Sequence, residues 1–315
     1  MVTNQPKKIY RYQRFNTTAI ESLSYDRLHF ADPAAFNDPL DCQPRVESDS
    51  DKNTLRQLLT ELVRRRVGAE ASVSLKNAKL NSEKVAAHAK KLGEHAARSK
   101  LANIAYNATN PEYEATDEKA ECWLLTTEIE RELQRQYDRG VCCFSASMSN
   151  PLLWSHYGDQ HRGLCIGYGL DRRPKPRLHK VIYGGRRTVL TSLVAQALIE
   201  EDPMAQKLLD RNILLRKASP WSYEREWRLL GIRGVQESVL SLKDVTFGLR
   251  CSSAVMHAVI TALDSREDTV QFYEMYEVRG SFKLKRRLVD IDELRVDLPH
   301  TAQSCDEMFD PIDEN

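Results

Sequence analysis

One short segment combines two carboxylates and an arginine with aromatic rings on both sides. Residues 221–228 read Trp-Ser-Tyr-Glu-Arg-Glu-Trp-Arg, and in an extended strand Glu224, Glu226 and Arg228 share one face at intervals of about 6.6 Å. Because neighbouring carboxylates raise the pKa of one of the two, such a pair suits a division of acid and base roles. The strand continues with apolar residues, so we expect a core strand whose charged end opens into a cleft. An ion-paired outer face is the alternative.

A second polar segment, residues 154–163, reads Trp-Ser-His-Tyr-Gly-Asp-Gln-His-Arg-Gly. Ser155 and His156 are adjacent and therefore point apart, and no Gly-x-Ser-x-Gly elbow is present, which disfavours a Ser-His-Asp triad. Metal binding by His156 and His161 lacks a third ligand, so no metal is expected here. The structural alternative is that serine and aspartate cap helix ends while histidine and tyrosine fill a polar core.

The third segment lies near the amino end, at residues 10–15, which read Tyr-Arg-Tyr-Gln-Arg-Phe. Strand alternation places Tyr10, Tyr12 and Arg14 on one side and Arg11 on the other. An arginine beside tyrosines can form forked hydrogen bonds to a phosphate or carboxylate while the rings stack on a planar group. An edge strand with amphipathic surface side chains is the alternative.

Composition limits the classes of protein to which the chain can belong. Its 315 residues contain 46 Lys and Arg against 45 Asp and Glu, and 41% are apolar, so there is no global positive field to collect nucleic acid or anionic lipid. No apolar run approaches the ~20 residues of a membrane-spanning helix, and no signal-peptide core is expected. Seven cysteines without paired Cys-x-x-Cys spacing disfavour a zinc module or disulfide framework, so we expect a cytoplasmic protein.

The elements that hold the three segments predict an α+β fold. Strands are expected at 9–15, 27–30, 141–145, 163–170, 178–185, 224–233, 245–251 and 270–278, and helices at 17–23, 253–264 and over most of 187–217. Asp-Pro and Asn-Asp turns between 31 and 44 predict a structured loop. We expect a mixed, largely antiparallel sheet core from residues 1–50 and 140–298, followed by a polar acidic tail at 299–315.

Residues 51–139 differ from the rest of the chain in their hydrophobic periodicity and charge distribution. Leucine and valine recur at helical spacing from Leu55 to Val63, and a seam of small residues follows at Leu75, Ala78, Ser82, Val85, Ala89, Leu92 and Ala96. Residues 52–100 hold 12 Lys and Arg against 4 Asp and Glu, whereas 111–132 hold 8 acidic residues against 2 basic ones. This pattern predicts an inserted helical hairpin or bundle with complementary charges. The alternative is a lid or partner-docking arm with a basic face.

Five ordered motifs resemble the bacterial family catalogued as domain of unknown function 2971. The family motifs are Y-[KR]-Y, F-N-D-P-x-D, C-F-S, W-S-H-Y-x-x-x-H-x-G and W-x-Y-E-x-E-W-R. Here they stand at 10–12, 36–41, 143–145, 154–163 and 221–228. The resemblance covers most of the chain outside 51–139 and the tail. It implies no activity, but it suggests a standalone bacterial protein with a role in toxin or phage-defence biology.

A weaker resemblance does imply an activity. An arginine on the first strand, a serine in the middle of the chain and a Glu-x-Glu entering a later strand are similar to the Arg-Ser-Glu pattern of ADP-ribosyltransferases. The resemblance implies that Glu226 is the catalytic glutamate and that Glu224 helps select the acceptor. Two positions keep alternative candidates: Ser155 or Ser145 for the serine, and Arg11 or Arg14 for the arginine that binds the NAD phosphates.

The chemistry of this family fits the residues. Cleavage of the nicotinamide–ribose bond passes through an oxocarbenium-like cation that a carboxylate stabilises, and no Gly-x-Gly-x-x-Gly motif supports a Rossmann site. We therefore expect an NAD-consuming transferase or NAD glycohydrolase with Glu226, Glu224 and Ser155 as catalytic residues, NAD as substrate and a protein or nucleic acid as acceptor. The residues expected to contact NAD are Tyr10, Arg11, Tyr12, Arg14, Asn37, Asp38, Ser145, Trp154, His156, Tyr157, His161, Trp221 and Arg228.

Two other functions remain open from the sequence. In a non-catalytic binding module, the aromatic cluster recognises a ligand and the helices at 51–139 dock a partner. In a metal-dependent nuclease, Asp38, Asp41, Glu224 and Glu226 hold a divalent cation through hard oxygen ligands while the basic helices contact the backbone. No lysine follows the carboxylates at the spacing of a common nuclease core, which disfavours the second function.

Overall fold

The computed structural model describes residues 5–77, 82–113, 116–136 and 139–301. Its strands are β1 (Lys8–Gln13), β2 (Arg27–Phe30), β3 (Arg45–Glu47), β4 (Gly140–Ser145), β5 (Leu164–Gly169), β6 (His179–Lys180), β7 (Ile182–Tyr183), β8 (Thr188–Leu190), β9 (Arg216–Lys217), β10 (Glu226–Gly231), β11 (Gly234–Glu237), β12 (Ser241–Phe247), β13 (Gln271–Glu277) and β14 (Leu284–Leu288). Its α-helices are α1 (Thr17–Ser24), α2 (Lys52–Asn77), α3 (Ser82–Ala108), α4 (Asp117–Gln136), α5 (Pro151–His156), α6 (Thr191–Leu198), α7 (Pro203–Leu214), α8 (Ser253–Leu263) and α9 (Ile291–Asp297). Most of the predicted acidic tail, 299–315, lies outside the described residues.

Eight of these strands form one sheet in the order β14-β13-β12-β5-β1-β4-β10-β6. Neighbouring strands run antiparallel except for the parallel pair β12 and β13. The predicted α+β class with a mixed, largely antiparallel sheet is therefore confirmed. On one face, Ile9, Ile166 and Val245 pack in a single core cluster with Val259 and Ile260 of α8, because alternate strand residues point to the same side.

The sheet opens between β1 and β4. Strand β1 pairs with β5 over six residues, from Lys8 to Gln13. With β4, by contrast, its register joins a single pair, Tyr10 and Ser145. Strand β4 is held from its other side by β10, again over six residue pairs. A sheet whose two halves meet at one residue pair leaves a cleft in the middle, and the candidate site lies in this cleft.

The predicted structured loop covers the cleft. After β2, Ala31 forms a bridge with Val141 of β4, which fixes the loop to the strand that borders the opening. The Asp32 side chain accepts a hydrogen bond from the backbone N–H of Ala34 at 2.9 Å and so begins a short 3₁₀ turn. Further along, the Asp38 side chain accepts from the backbone N–H of Leu40 at 2.8 Å. These local bonds hold the loop over the cleft.

Helices α2, α3 and α4 bring the complementary charges of their segment together. Leu58 of α2 packs in one apolar cluster with Leu125 of α4. Arg66 of α2 pairs with Glu132 of α4 at 2.7 Å, and Lys100 Nζ of α3 lies 2.8 Å from an oxygen of Glu128 on α4. Acidic residues of α4 therefore pair with basic residues of both α2 and α3, as the charge pattern predicts.

Local predictions were confirmed only in part. Leu92 does not belong to a buried seam, because its side chain is 40% exposed, whereas Val85 and Ala89 are buried; Ala78 lies outside the described residues. The prediction that 187–217 is mainly helical is confirmed by α6 and α7, which the short strands β8 and β9 flank; Asp202 caps the second helix, which starts at Pro203. Among the described residues, no helix is both long and apolar enough to cross a membrane.

Candidate functional site

A cavity of about 250 Å³ occupies the cleft between β1 and β4. Its walls come from β1, β4, the loop between β2 and β3, and helix α5. Its floor carries Lys217, Glu224 and Glu226. The predicted residues that line it are Tyr10, Arg11, Tyr12, Asn37, Asp38, Ser145, Tyr157, Glu224 and Glu226. The three segments singled out from the sequence therefore converge on one pocket.

The two glutamates reach the floor from different backbone conformations. Residues 219–224 form a 3₁₀ turn, Arg225 adopts the left-handed region with φ 49°, and only Glu226 begins strand β10. The predicted strand face shared by Glu224, Glu226 and Arg228 is therefore wrong for Glu224. The left-handed residue turns the chain between the two glutamates, so both carboxylates can contact the same lysine.

Lys217 joins three carboxylates at the floor. Its ammonium nitrogen lies 2.5 Å from Glu224 Oε2, 3.1 Å from Glu226 Oε2 and 3.6 Å from Asp41 Oδ2. The lysine side chain is only 7% exposed and each carboxylate side chain 5% or less. Close charges at such low exposure interact more strongly than surface ion pairs do.

Arg228 is the second cation of this cluster. Its Nε donates to Glu226 Oε1 at 2.7 Å and its Nη2 to Asp41 Oδ2 at 2.7 Å. The side chain is fully buried, so it cannot contact a ligand, contrary to its predicted role in binding NAD. It serves to neutralise Glu226 and Asp41.

The two glutamates are shifted in opposite directions. Burial alone raises the pKa of Glu226, but the charges of Arg228 and Lys217 outweigh it and lower that pKa to about 2. For Glu224, burial raises the pKa above its ordinary value in spite of Lys217, and the negative charge of Glu226 adds to the rise. Tyr157 donates its phenolic hydrogen to Glu224 Oε1 at 2.8 Å. The lowered pKa keeps Glu226 ionised at neutral pH, whereas the raised pKa of Glu224 lets that carboxylate exchange a proton more readily.

This asymmetry predicts how stability depends on pH. The pKa of Glu226 is about 2 when folded and 4.5 as an unperturbed group. Its stabilising contribution is therefore fully present above pH 4.5 and is lost as the pH falls towards 2. At 1.36 kcal/mol per pKa unit this amounts to about 3 kcal/mol. Urea unfolding of the wild type and of Glu226→Gln across this range should show a shallower pH dependence in the variant. The exposed Glu237→Gln is the control and should keep the pH dependence of the wild type. If the free energy of unfolding of Glu226→Gln varies with pH as steeply as that of the wild type, the lowered pKa of Glu226 is contradicted.

Ser145 lies at the pocket and Ser155 does not. Ser145 faces both Tyr10 and Glu226 in the strand register, and its hydroxyl donates to the carbonyl oxygen of Glu224 at 2.6 Å. Ser155 is exposed, donates to Pro151 O at 3.0 Å and does not line the cavity. Of the two serines left open by the sequence, Ser145 is the one beside the carboxylates, and it holds the backbone of Glu224.

Arg11 and Arg14 are also separated by the fold. Arg11 lines the cavity, and its guanidinium donates to Cys142 Sγ at 3.3 Å and to His29 O at 3.4 Å. It makes no ion pair with any carboxylate among the described residues. Arg14 follows the end of β1, is exposed and does not line the cavity. Arg11 is therefore a cation at the pocket whose charge no described carboxylate balances.

The remaining predicted contacts lie behind or beside the cavity. Trp154 is fully buried, and its indole N–H donates to Met148 O at 3.0 Å; Tyr12 packs edge-on against it at 5.1 Å. The His161 ring lies nearly parallel to that of Trp154, with ring centroids 6.1 Å apart. His156 and Trp221 form an aromatic pair at 6.4 Å outside the lining residues. The structure does not place Trp154, His156, His161 or Trp221 in the pocket.

Much of the 154–163 motif is explained by backbone packing. A Cβ on Gly158 would lie 2.7 Å from the Trp154 ring, and one on Gly163 would lie 2.4 Å from Gln13 O. Between them the chain passes through three left-handed residues, 159–161. Only glycines allow this turn to approach β1 and Trp154 so closely. The motif positions α5, and with it Tyr157, against the pocket.

Sequence reasoning missed Lys217 and gave Asp41 only a role in metal binding. Lys217 falls in a segment predicted to be helical and belongs to no motif. The available signal was indirect: two buried carboxylates require more positive charge than one arginine supplies. Tyr183 was also missed, although its hydroxyl accepts the backbone N–H of Glu226 at 2.7 Å.

Residues 153–229 match a family model described as Protein of unknown function (DUF2971). The stretch belongs to that family. In this DUF2971 segment lie most of helix α5, Tyr157, Lys217, both glutamates and Arg228, so the family region supplies the floor of the pocket. No curated protein and no solved structure matches the chain.

Proposed function

We propose that the pocket binds the nicotinamide–ribose end of NAD and that the protein cleaves the bond between nicotinamide and ribose, as an ADP-ribosyltransferase or NAD glycohydrolase does. The observation that carries the proposal is the pair of glutamates with opposite pKa shifts at the floor of a cleft in the sheet. Environments that push the pKa values of two carboxylates apart assign them different chemical roles. An ADP-ribosyltransferase-like arrangement of the sheet is part of the proposal.

Each carboxylate has one role in the proposed reaction. When the bond between the ribose carbon and the nicotinamide nitrogen breaks, its electron pair leaves with nicotinamide and the ribose becomes an oxocarbenium-like cation. The anionic Glu226 stabilises that cation. Water or an acceptor hydroxyl then forms the new bond to the ribose carbon, and its proton passes to Glu224. The raised pKa of Glu224 makes it a better base than an ordinary carboxylate.

The size and charge of the pocket fit one part of NAD. Pockets for drug-sized ligands usually occupy about 300–1,000 Å³, so a cavity of about 250 Å³ encloses the nicotinamide–ribose end and leaves the adenosine outside. Arg11 supplies the unbalanced positive charge that a phosphate requires. Tyr10 and Tyr12, on the same lining, offer rings on which a planar group can stack.

The proposal is tested by incubating the purified protein with NAD and measuring free nicotinamide, alongside transfer of labelled ADP-ribose to protein and nucleic acid. Arg11→Met should weaken NAD binding about 10- to 100-fold, because a hydrogen bond to a charged group contributes about 1.5–3 kcal/mol. Arg14→Met removes the same charge outside the pocket and should leave binding unchanged. Absence of NAD binding, nicotinamide release and labelling in the wild type would refute the proposal, and equal effects of the two variants would refute the role of Arg11.

A second candidate function is ligand binding without turnover. The observation that favours it is that both oxygens of Glu226 already accept hydrogen bonds from Arg228 and Lys217, which lessens the charge available to a ribose cation. NAD or ADP-ribose would then raise the melting temperature without release of nicotinamide.

The nuclease alternative has less support. Lys217 Nζ lies among Asp41, Glu224 and Glu226, where a divalent cation would have to bind. Within the described part of the chain, no group of three or more His, Cys, Asp or Glu side chains is arranged to hold a metal.

An NAD-consuming activity accords with a cytoplasmic role in toxin or phage-defence biology, with an acceptor docked on α2–α4. This role is tested by measuring the cellular NAD concentration after expression of the protein is induced.

A further inference from the structure

A second, larger hollow lies across the ends of four neighbouring strands. Its volume is about 610 Å³, and its lining comes from the start of β1, the loop after β5, β12 and the start of β13. It shares no lining residue with the pocket at Glu226. The hollow is therefore a separate feature of the same sheet.

Lysines dominate the charge of this hollow. Lys7, Lys8, Lys175 and Lys243 line it, against a single acidic side chain, Asp171. Ammonium groups that lie close together repel one another unless carboxylates or an external anion balance their charge. The protein as a whole carries a net charge of only +1, so this positive region is local.

Two of the four lysines are already neutralised by the protein. Lys8 Nζ lies 2.5 Å from the buried Asp244, and Lys243 Nζ lies 2.8 Å from Asp171. Lys7 and Lys175 are exposed and form no ion pair among the described residues. The nearby carboxylates, Asp171 and Asp244, are already paired with Lys243 and Lys8. The charges of Lys7 and Lys175 therefore remain available to an external anion.

Gly169 lines the hollow. This residue pairs with Lys8 on one side and with Ser241 on the other. A Cβ at Gly169 would lie 2.7 Å from both Asp171 Oδ1 and Lys243 Cε. The absence of a side chain at Gly169 lets Lys243 and Asp171 approach each other above the strand and form their ion pair.

We propose that this lysine groove binds a chain of phosphate groups, as in the backbone of a single-stranded nucleic acid or in a short polyphosphate. The lining contains no aromatic ring or arginine, which are the groups that usually stack on bases or read their edges. Lysine instead acts as a point charge towards phosphate. Recognition is therefore electrostatic and independent of base sequence.

The test measures fluorescence anisotropy of a labelled, mixed-sequence, single-stranded oligonucleotide with the intact protein. With Lys7 and Lys175 engaged, the logarithm of affinity should fall with the logarithm of salt at a slope of about −1.4, from about −0.7 per phosphate contact. Lys7→Glu with Lys175→Glu should weaken binding at least about tenfold and remove most of the salt dependence. The matched control, Lys283→Glu with Lys285→Glu, changes the same charge at exposed positions at the start of β14, away from the groove, and should have little effect.

Unlabelled tripolyphosphate distinguishes the two sources of phosphate. Displacement of the oligonucleotide by tripolyphosphate at equal phosphate concentration supports a short polyphosphate, and resistance to it supports a polymer backbone. The proposal is overturned if neither compound binds at about 50 mM salt, or if the groove and control variants lose affinity equally. Thermal unfolding of each variant verifies that it is folded. None of these measurements depends on NAD cleavage.

Discussion

Replacing Arg228 with methionine should lower the free energy of unfolding by about 3–5 kcal/mol. Methionine fills much of the space of the arginine side chain but removes the cation that pairs with Glu226 and Asp41 at 2.7 Å. Two carboxylates that are 5% exposed or less are then left with Lys217 as their shared cation. The cost arises because a charge buried without a partner loses its hydration and gains nothing in return. Urea unfolding followed by tryptophan fluorescence measures the loss.

Two further variants separate this effect from a general effect of removing arginine. Arg279→Met makes the same change at an exposed turn and should alter stability by no more than about 0.5 kcal/mol. Adding Glu226→Gln to Arg228→Met removes one of the unpaired charges, so the double variant should be more stable than the sum of the two single losses predicts. A loss in Arg228→Met as small as that in Arg279→Met would mean that the cluster does not stabilise the fold.

Glu226→Gln should reduce nicotinamide release from NAD by about 10²- to 10⁴-fold, the range typical of a lost charged catalytic group. Glutamine has the shape of glutamate but carries no charge, so it cannot stabilise an oxocarbenium ion. The change also leaves two carboxylates, Asp41 and Glu224, opposite the two cations of the cluster. We therefore expect the variant to fold and to bind NAD with little change in KM while kcat falls.

The matched control is Glu237→Gln, which changes a glutamate that is 79% exposed and paired with Arg27. Its nicotinamide release should equal that of the wild type. Unfolding measurements on both variants exclude a trivial loss through misfolding. If wild-type protein cleaves NAD and Glu226→Gln cleaves it equally well, the catalytic role of Glu226 is wrong, although another residue could still carry the reaction.

Local patterns were sufficient for much of the fold. Alternation in residues 10–15 correctly placed Tyr10 and Tyr12 on one face, where they pack with Trp154 and Met275, and Arg11 on the other, where it reaches Cys142 of β4. The helical spacing of leucines correctly predicted the buried face of α2. These features depend on residues that are close in sequence, so a repeat of two or of 3.6 residues encodes them.

The motifs of the sequence also contain most of the residues that line the pocket. Nine of the residues predicted to act on NAD line one cavity, since each motif joins polar side chains to the end of an element. The motifs did not separate residues that face the cavity from residues that support it. Arg228 and Trp154 are fully buried, and Ser155 lies outside, yet all three stand in the same motifs as Tyr157 and Glu226.

The ion cluster and the opening of the sheet follow only from contacts between distant parts of the chain. Arg228 pairs with Asp41 across 187 positions, and Lys217 enters through the short strand β9, which no periodicity indicates. The left-handed Arg225 turns Glu224 out of the strand that alternation assigns to it. Burial and charge pairing determine where Lys217, Glu224 and Arg228 lie, and both depend on which strands become neighbours in the sheet. In the sequence, the choice of neighbouring strands is encoded only as the sum of many weak long-range interactions. Periodic patterns and turns, by contrast, depend on residues that are adjacent in the chain.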